Sequence, residues 1–203
     1  MPPRRTPRAI HRAPLQASRQ ASTLRIIGGR WRGRRISFPV VPGLRPTPDR
    51  VRETLFNWLG QDLAGTTSLD LFAGSGALTF EALSRGAVLA VAVDHHAGIV
   101  RKLVDTGAAL GATALETHCS DARAFLARET RAFDVIFLDP PFGNGDWNAL
   151  LSAAAERLAP TGMIYVEAPA SIEAPRGMEV WREDKAGQVH YHLLRRADVA
   201  QSA

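Results

Sequence analysis

From Thr67 onward, short apolar runs alternate with longer stretches that are apolar on one side only. "SLDLFAG", "VLAVAVD", "LETHC", "FDVIFLD" and "MIYVEA" read as strands. Between them, "ALTFEALSRG" reads as a helix closed by Gly86. Further helices fall at about 97–110, in "ARAFLARET", and in "WNALLSAAAERLA", which ends near Pro160–Gly162. Strands that are apolar nearly throughout, each followed by a helix, predict a parallel sheet covered on both faces. The tail "MEVWREDKAGQVHYHLLRR" breaks that rhythm. It predicts two strands joined through Lys185–Ala186–Gly187, an antiparallel hairpin at the sheet edge.

Ahead of Thr67 the pattern differs. "LRIIGGRWRGRRISFP" holds two β-rich runs around Gly28–Gly29, a β-hairpin whose arginines leave few positions for a core face. "PGLRPTPDRVRETLFNWLG" predicts a proline-stiffened loop and then a helix from about Arg50 to Leu59, capped by Asp49 or Thr47 and ended by Gly60. Residues 1–23 are rich in proline, arginine and small residues without periodicity, which predicts a flexible basic arm. The expected organisation is an arm (1–23), an Arg-rich hairpin and helix (24–60), and one α/β domain (61–203).

Charge sharpens this division. Residues 1–53 carry thirteen arginines against two acids, a net of +11, whereas residues 54–203 carry twelve Lys/Arg against eighteen acids, a net of −6. A basic extension on an acidic body suits a polyanionic partner, with Arg25, Arg30, Arg32, Arg34, Arg35, Arg45 and Arg50 as candidate RNA contacts. A chain of 203 residues with a single cysteine, Cys119, has no disulfide framework. No apolar run approaches the length of a membrane span, and the six histidines show no metal-ligand spacing. A cytoplasmic monomer without a metal is expected.

Two stretches carry chemistry. In "LDLFAGSGALTFEA" a strand runs into Gly74 and Gly76 and then a helix, so backbone N–H groups at a helix N-terminus are open to a ligand. A dinucleotide fold wants a small residue where Thr79 stands, and Asp70 would repel a pyrophosphate. The ammonium of S-adenosylmethionine (SAM) would instead welcome Asp70. Phe72, Ala73, Gly74, Ser75 and Gly76 complete that turn. Asp94, ending the second strand, can accept from a ribose diol. Asp121, with the backbone of Ala122, can meet an adenine, although Asp121 is also placed to cap a helix. The whole is the outline of a Rossmann-like class I SAM-dependent methyltransferase, with a mostly parallel seven-stranded sheet.

The second stretch is "FLDPPF". An exocyclic amine on a nucleobase is a poor nucleophile, because its lone pair is delocalised into the ring. The Asp139 carboxylate and the Pro140 carbonyl can both accept its N–H groups. Pro140 and Pro141 stiffen the loop that holds them. Phe142 offers a face for an extruded base.

"RIIGGRWRGRRISFP", "GLRPTPDRVRETLFNWL", "LDLFAGSGALTFEALSRGA", "FLDPPF", "YVEA" and "KAGQVHY" resemble, in this order, the bacterial RsmD family over about residues 24–196. The resemblance implies methyl transfer to the N2 of one guanine in 16S ribosomal RNA, with the small subunit or an assembly intermediate as substrate. It also places Arg45–Glu53 beside the active site. The family usually carries a glutamate where Ala92 stands, so either Asp94 reaches the ribose or the second strand ends in another register. An adenine-N6 methylase of DNA or RNA, a non-catalytic RNA-binding assembly factor, and a nicotinamide oxidoreductase are the alternatives.

Overall fold

The computed structural model describes residues 21–39, 47–140 and 147–197. Most of the arm, Arg45, Pro141 and Phe142 lie outside the described residues. Strands β1 (Ala21–Arg25) and β2 (Arg35–Pro39) form an antiparallel hairpin, with Arg25 opposite Arg35. β1 thus begins inside the stretch read as an arm. Helix α1 (Asp49–Leu59) follows and ends at Gly60. It takes no side-chain cap. Its N-cap is Pro48, and Asp49 sits in the first turn, where it meets Arg52 instead.

The main sheet begins with β3 (Thr67–Asp70), α2 (Ala77–Ser84), β4 (Leu89–Asp94), α3 (Ala97–Leu110) and β5 (Leu115–Cys119). It continues with α4 (Ala122–Leu126), β6 (Phe133–Leu138), α5 (Trp147–Ala155), β7 (Leu158–Ala168), β8 (Met178–Ala186) and β9 (Val189–Arg196). The strand order is β5-β4-β3-β6-β7-β9-β8, parallel as far as β7, with β9 antiparallel to both β7 and β8. This is the predicted α/β sheet with its terminal hairpin.

Two elements depart from the sequence reading. α4 is a single short helix that stops at Leu126. β7 starts at Leu158, so Pro160 and Gly162 end no helix. The β6–β7 register slips between Phe133 and Val135, and Pro160–Gly162 fall in that irregular stretch, where a proline forfeits no ladder bond.

Alternation along the strands splits the core. Ile136, Leu138, Ile164, Val166 and Leu194 pack with α4 and α5 on one face. Phe137, Tyr165, Tyr191 and Leu193 pack under Val51, Leu55 and Phe56 of α1 on the other. The hairpin does own a core face: Leu24, Ile26, Trp31, Ile36 and Phe38 bury against Phe80, Leu83, Ile99 and Leu103. The arginines interleaved with these residues point outward. All eight residues of α2 are consequently buried, between the sheet on one side and the hairpin and α1 on the other.

Polar pairs fasten that layer. Ser84 Oγ donates to the Gly28 carbonyl at 2.6 Å and accepts from Trp31 N–H at 2.9 Å. Glu81 Oε2 accepts from Ile27 N–H at 2.9 Å and from Arg52 Nη1 at 3.3 Å, with both side chains at 0% exposure. Gly29, at φ 70°, is required here: a Cβ would lie 1.9 Å from the Ser84 carbonyl oxygen.

Candidate active site

Chain order reverses between β3 and β6. After β3 the chain adds β4 and β5 on one side, then crosses to place β6 on the other. Ligands of open α/β sheets bind at such a switch point, beyond the carboxyl ends of the strands. Asp70 is the last residue of β3, and Asp139 directly follows β6.

Register and alternation bring the acids together. Asp70 lies opposite Phe137, and Phe137 opposite Tyr165, so these three share the α1 face. Two residues further along their strands come Asp139 and Glu167, next to the Leu138–Val166 pair. Asp70, Asp139 and Glu167 thus form a row across three adjacent strand ends on one face. Both flanking acids bear on the ionisation of Asp139: burial, then Glu167, then Asp70 push its carboxyl well above the usual range. No described residue donates a hydrogen bond to the Asp139 side chain; the residue is half-buried, and Pro140 is buried.

Asp70 is 4% exposed, and burial raises its pKa from 3.8 to about 6 against the hydrogen bonds from Thr79 and the Phe72 N–H. Thr79 Oγ1 donates to Asp70 Oδ2 at 2.7 Å. The residue that spoils a dinucleotide turn therefore holds the acid, and a buried carboxylate with no described cation beside it suits an incoming ammonium group.

The turn after Asp70 is built as the glycine pattern demands. Gly74 (φ 47°) and Gly76 (φ 78°) adopt left-handed backbone, and Gly76 N–H donates to the Ala73 carbonyl at 2.7 Å. A Cβ on Gly76 would lie 2.6 Å from Phe80 Cε2, so this glycine admits the protein's own packing rather than a ligand. Ser75 Oγ accepts from Ala77 N–H at 3.3 Å, Ala73 is buried and Phe72 half-buried.

Asp94 ends β4 and is 7% exposed. Its Oδ2 accepts from Gly74 N–H at 3.1 Å and its Oδ1 from His96 N–H at 2.8 Å, so it braces the glycine turn. Ala92 lies opposite Asp70 at 0% exposure, and Asp94 is the acid at that strand end. Asp121 caps α4, its Oδ1 accepting from Arg123 and Ala124 N–H at 2.9 and 3.0 Å; its Oδ2 takes no bond from a described residue. Ala122 is buried behind it.

Arg25, Arg30, Arg32, Arg34, Arg35 and Arg50 are all exposed. Arg34 Nη2 reaches the Ala109 carbonyl at 3.2 Å, and Arg25 pairs with Asp49 at 3.3 Å. Between hairpin and α1 opens a cleft of about 400 Å³, lined by Thr23, Arg25, Arg35, Thr47 and Asp49 among others. Among the described residues no group of three or more His, Cys, Asp or Glu is disposed to hold a metal, and no helix is long and apolar enough to cross a membrane.

Glu167 and Tyr165 carry no role from the sequence, and Thr47, expected as a helix cap in the Arg45–Glu53 stretch, caps nothing. Tyr165 Oη donates to Glu167 Oε1 at 2.8 Å, and the Thr47 side chain also favours the charged acid, although burial raises it on balance. Glu167 gives the same signal as Asp70 and Asp139, an acid closing an apolar strand.

The family profile Conserved hypothetical protein 95 matches residues 24–195. The chain is similar to Ribosomal RNA small subunit methyltransferase D of Escherichia coli K12, 41% identical over 184 residues, covering 88% of this chain and 93% of that one. The Haemophilus influenzae protein of the same name is 35% identical over 187 residues, covering 88% and 97%. Among solved structures, the putative methyltransferase yhhF from Escherichia coli superposes with a TM-score of 0.78 at 42% identity, covering 86% of this chain and 98% of that one. The Thermus thermophilus 16S rRNA N2 G1207 methyltransferase in complex with AdoMet and guanosine superposes with a TM-score of 0.63 at 25% identity, covering 88% of this chain and 50% of that one.

Proposed function

The chain belongs to the Ribosomal RNA small subunit methyltransferase D (RsmD) family, and from that premise we propose that it methylates the exocyclic N2 amine of one guanine in 16S ribosomal RNA. Its substrate is the small subunit or an assembly intermediate, and it works in the cytoplasm as a monomer.

SAM supplies an electrophilic methyl on a sulfonium centre. Asp70 holds the ammonium end. The Gly74–Gly76 turn, whose two glycine N–H groups are spent on Asp94 and the Ala73 carbonyl, borders the carboxylate end, Asp94 lies at the strand end where the ribose belongs, and Asp121 with Ala122 borders the adenine. The Asp139 carboxylate and the Pro140 carbonyl accept the two N–H groups of the target amine, turning the nitrogen lone pair toward the methyl. Positioning of this kind is worth several kcal/mol, roughly 10²-fold per ångström of misplacement avoided. As the N–C bond forms and the S–C bond breaks, the amine proton becomes acidic and passes to Asp139 or to water. Pro141 and Phe142 lie outside the described residues; their expected parts are to stiffen the loop and to stack on the flipped base. The exposed arginines and the cleft between hairpin and α1 take the RNA backbone.

One observation carries this reading. Asp70 and Asp139 straddle the switch point of the sheet, the first with no described cation beside it and the second with no described donor. Transfer of labelled methyl to small subunits purified from cells without the protein provides the test. Asp139→Ala should abolish transfer, by roughly 10² or more, while SAM still binds. A variant that loses SAM affinity yet keeps its rate at saturation removes Asp139 from the amine site.

A further inference from the structure

Glu167 has no part in the transfer described above, yet it stands beside the residue that does. It is 6% exposed and closes the row of strand-end acids on the side away from the glycine turn. One hydrogen bond orients its side chain. Tyr165 Oη donates to Oε1 at 2.8 Å, and Thr47, ahead of α1, favours the charged form of the acid. Thr47 is itself held, its carbonyl accepting from Arg52 Nε at 3.2 Å, and Arg52 is anchored on Glu81 of α2. No described cationic side chain pairs with Glu167. A buried carboxylate without such a partner is costly to keep. Carboxylate oxygens offer about four lone-pair sites, and Tyr165 uses one.

The chemistry next door says what fits the rest. A guanine whose N2 sits at Asp139 presents N1–H as the neighbouring donor on the same edge. An adenine whose N6 sits there presents an unprotonated N1, a lone pair facing a carboxylate. Enzymes that extrude a base read this edge by hydrogen bonds. We propose that Glu167 selects guanine by accepting N1–H of the target base while Asp139 and Pro140 hold the N2 amine. The inference rests on the guanine-N2 reading given above. Thr47 also lines the cleft between hairpin and α1, so the residue that supports the selecting acid borders the RNA side of the molecule.

The test uses the full chain and small subunits reconstituted with either guanine or 2-aminopurine at the nucleotide that the enzyme methylates. 2-Aminopurine keeps the N2 amine and lacks N1–H. Wild type should prefer guanine by roughly 10²-fold or more, because a site built around a donor rejects an analogue without one. Glu167→Gln is isosteric and can turn its amide N–H toward the bare N1, so the preference should fall to about 5-fold or less, with SAM affinity unchanged. A Gln variant that keeps the wild-type ratio overturns the inference. So does a wild-type enzyme that uses 2-aminopurine as readily as guanine, a result that needs no variant to fold. If the wild-type product is N6-methyladenosine, the guanine reading itself fails and this inference with it. N2-methylguanosine with an unaltered ratio sinks this inference alone.

Discussion

Replacing Asp70 with asparagine separates what this residue does for the fold from what it does for the ligand. In the folded protein its pKa stands at about 6 instead of 3.8, chiefly because it is buried. A folded-state pKa above the unfolded one means that the native protein still binds a proton where the unfolded chain has released it. Stability is therefore full below about pH 4 and falls as pH rises through 6. At 1.36 kcal/mol per unit, the ionised carboxylate costs about 3 kcal/mol at pH 7. The asparagine side chain would keep contact with Thr79 and the Phe72 N–H but bury one unmatched amide N–H, returning about 1 kcal/mol of that gain. Asp70→Asn should then stabilise the ligand-free protein by about 2 kcal/mol, or about 4–8 °C in Tm for a chain of this size. Its SAM affinity should fall by about tenfold or more, since the ammonium loses a charged partner. Thermal unfolding at pH 7.5 with and without SAM reads both effects, and a series from pH 4 to 8 should show the wild-type advantage of low pH vanish in the variant. A variant less stable than wild type without ligand, yet equally stabilised by SAM, would deny Asp70 both its cost to the fold and its hold on the ammonium.

Other outcomes follow from the same geometry. Arg52→Met strands Glu81 at 0% exposure with Arg85 and the Ile27 N–H as its remaining partners, and should destabilise by about 3 kcal/mol in denaturant unfolding. Adding Glu81→Gln should recover most of that loss; a double variant no better than the single one would deny the coupling. Replacing Arg32, Arg34 and Arg35 with glutamine should weaken RNA binding and reduce its salt slope by about 2, whereas an unchanged slope would take the hairpin off the RNA surface.

What could be read from the sequence, and what could not, divides along physical lines. α3 and β5 fall at their predicted bounds, because periodicity and a terminal glycine are local signals. The strand-end acids Asp70, Asp94 and Asp139 are local signals too. Their partners are not. The same sequence cue marks Glu167, but its meaning depends on β7 lying beside β6 in register, and strand order is a property of the whole sheet. The hairpin's core face was hidden for another reason: Leu24, Ile26, Ile36 and Phe38 alternate with polar residues in an arginine-rich stretch, so composition masks a regular pattern of burial. Asp49 reads as a helix cap and is instead spent on Arg52 and Arg25, because a buried guanidinium demands a carboxylate more strongly than a helix end does. Glu81, in an otherwise apolar helix, announces its partner only once α1 is seen to cross it.

In the proposed reaction an acceptor pair at Asp139 and Pro140 presents a guanine N2 amine to a methyl donor held at Asp70 and the glycine turn. Mass spectrometry of nucleosides from 16S rRNA tests it most directly, comparing cells that have the protein, cells that lack it, and cells that carry only Asp139→Ala. One N2-methylguanosine per small subunit should be present in the first and missing from the other two. An unchanged N2-methylguanosine content in cells without the protein, or its full restoration by the Asp139→Ala variant, would contradict it.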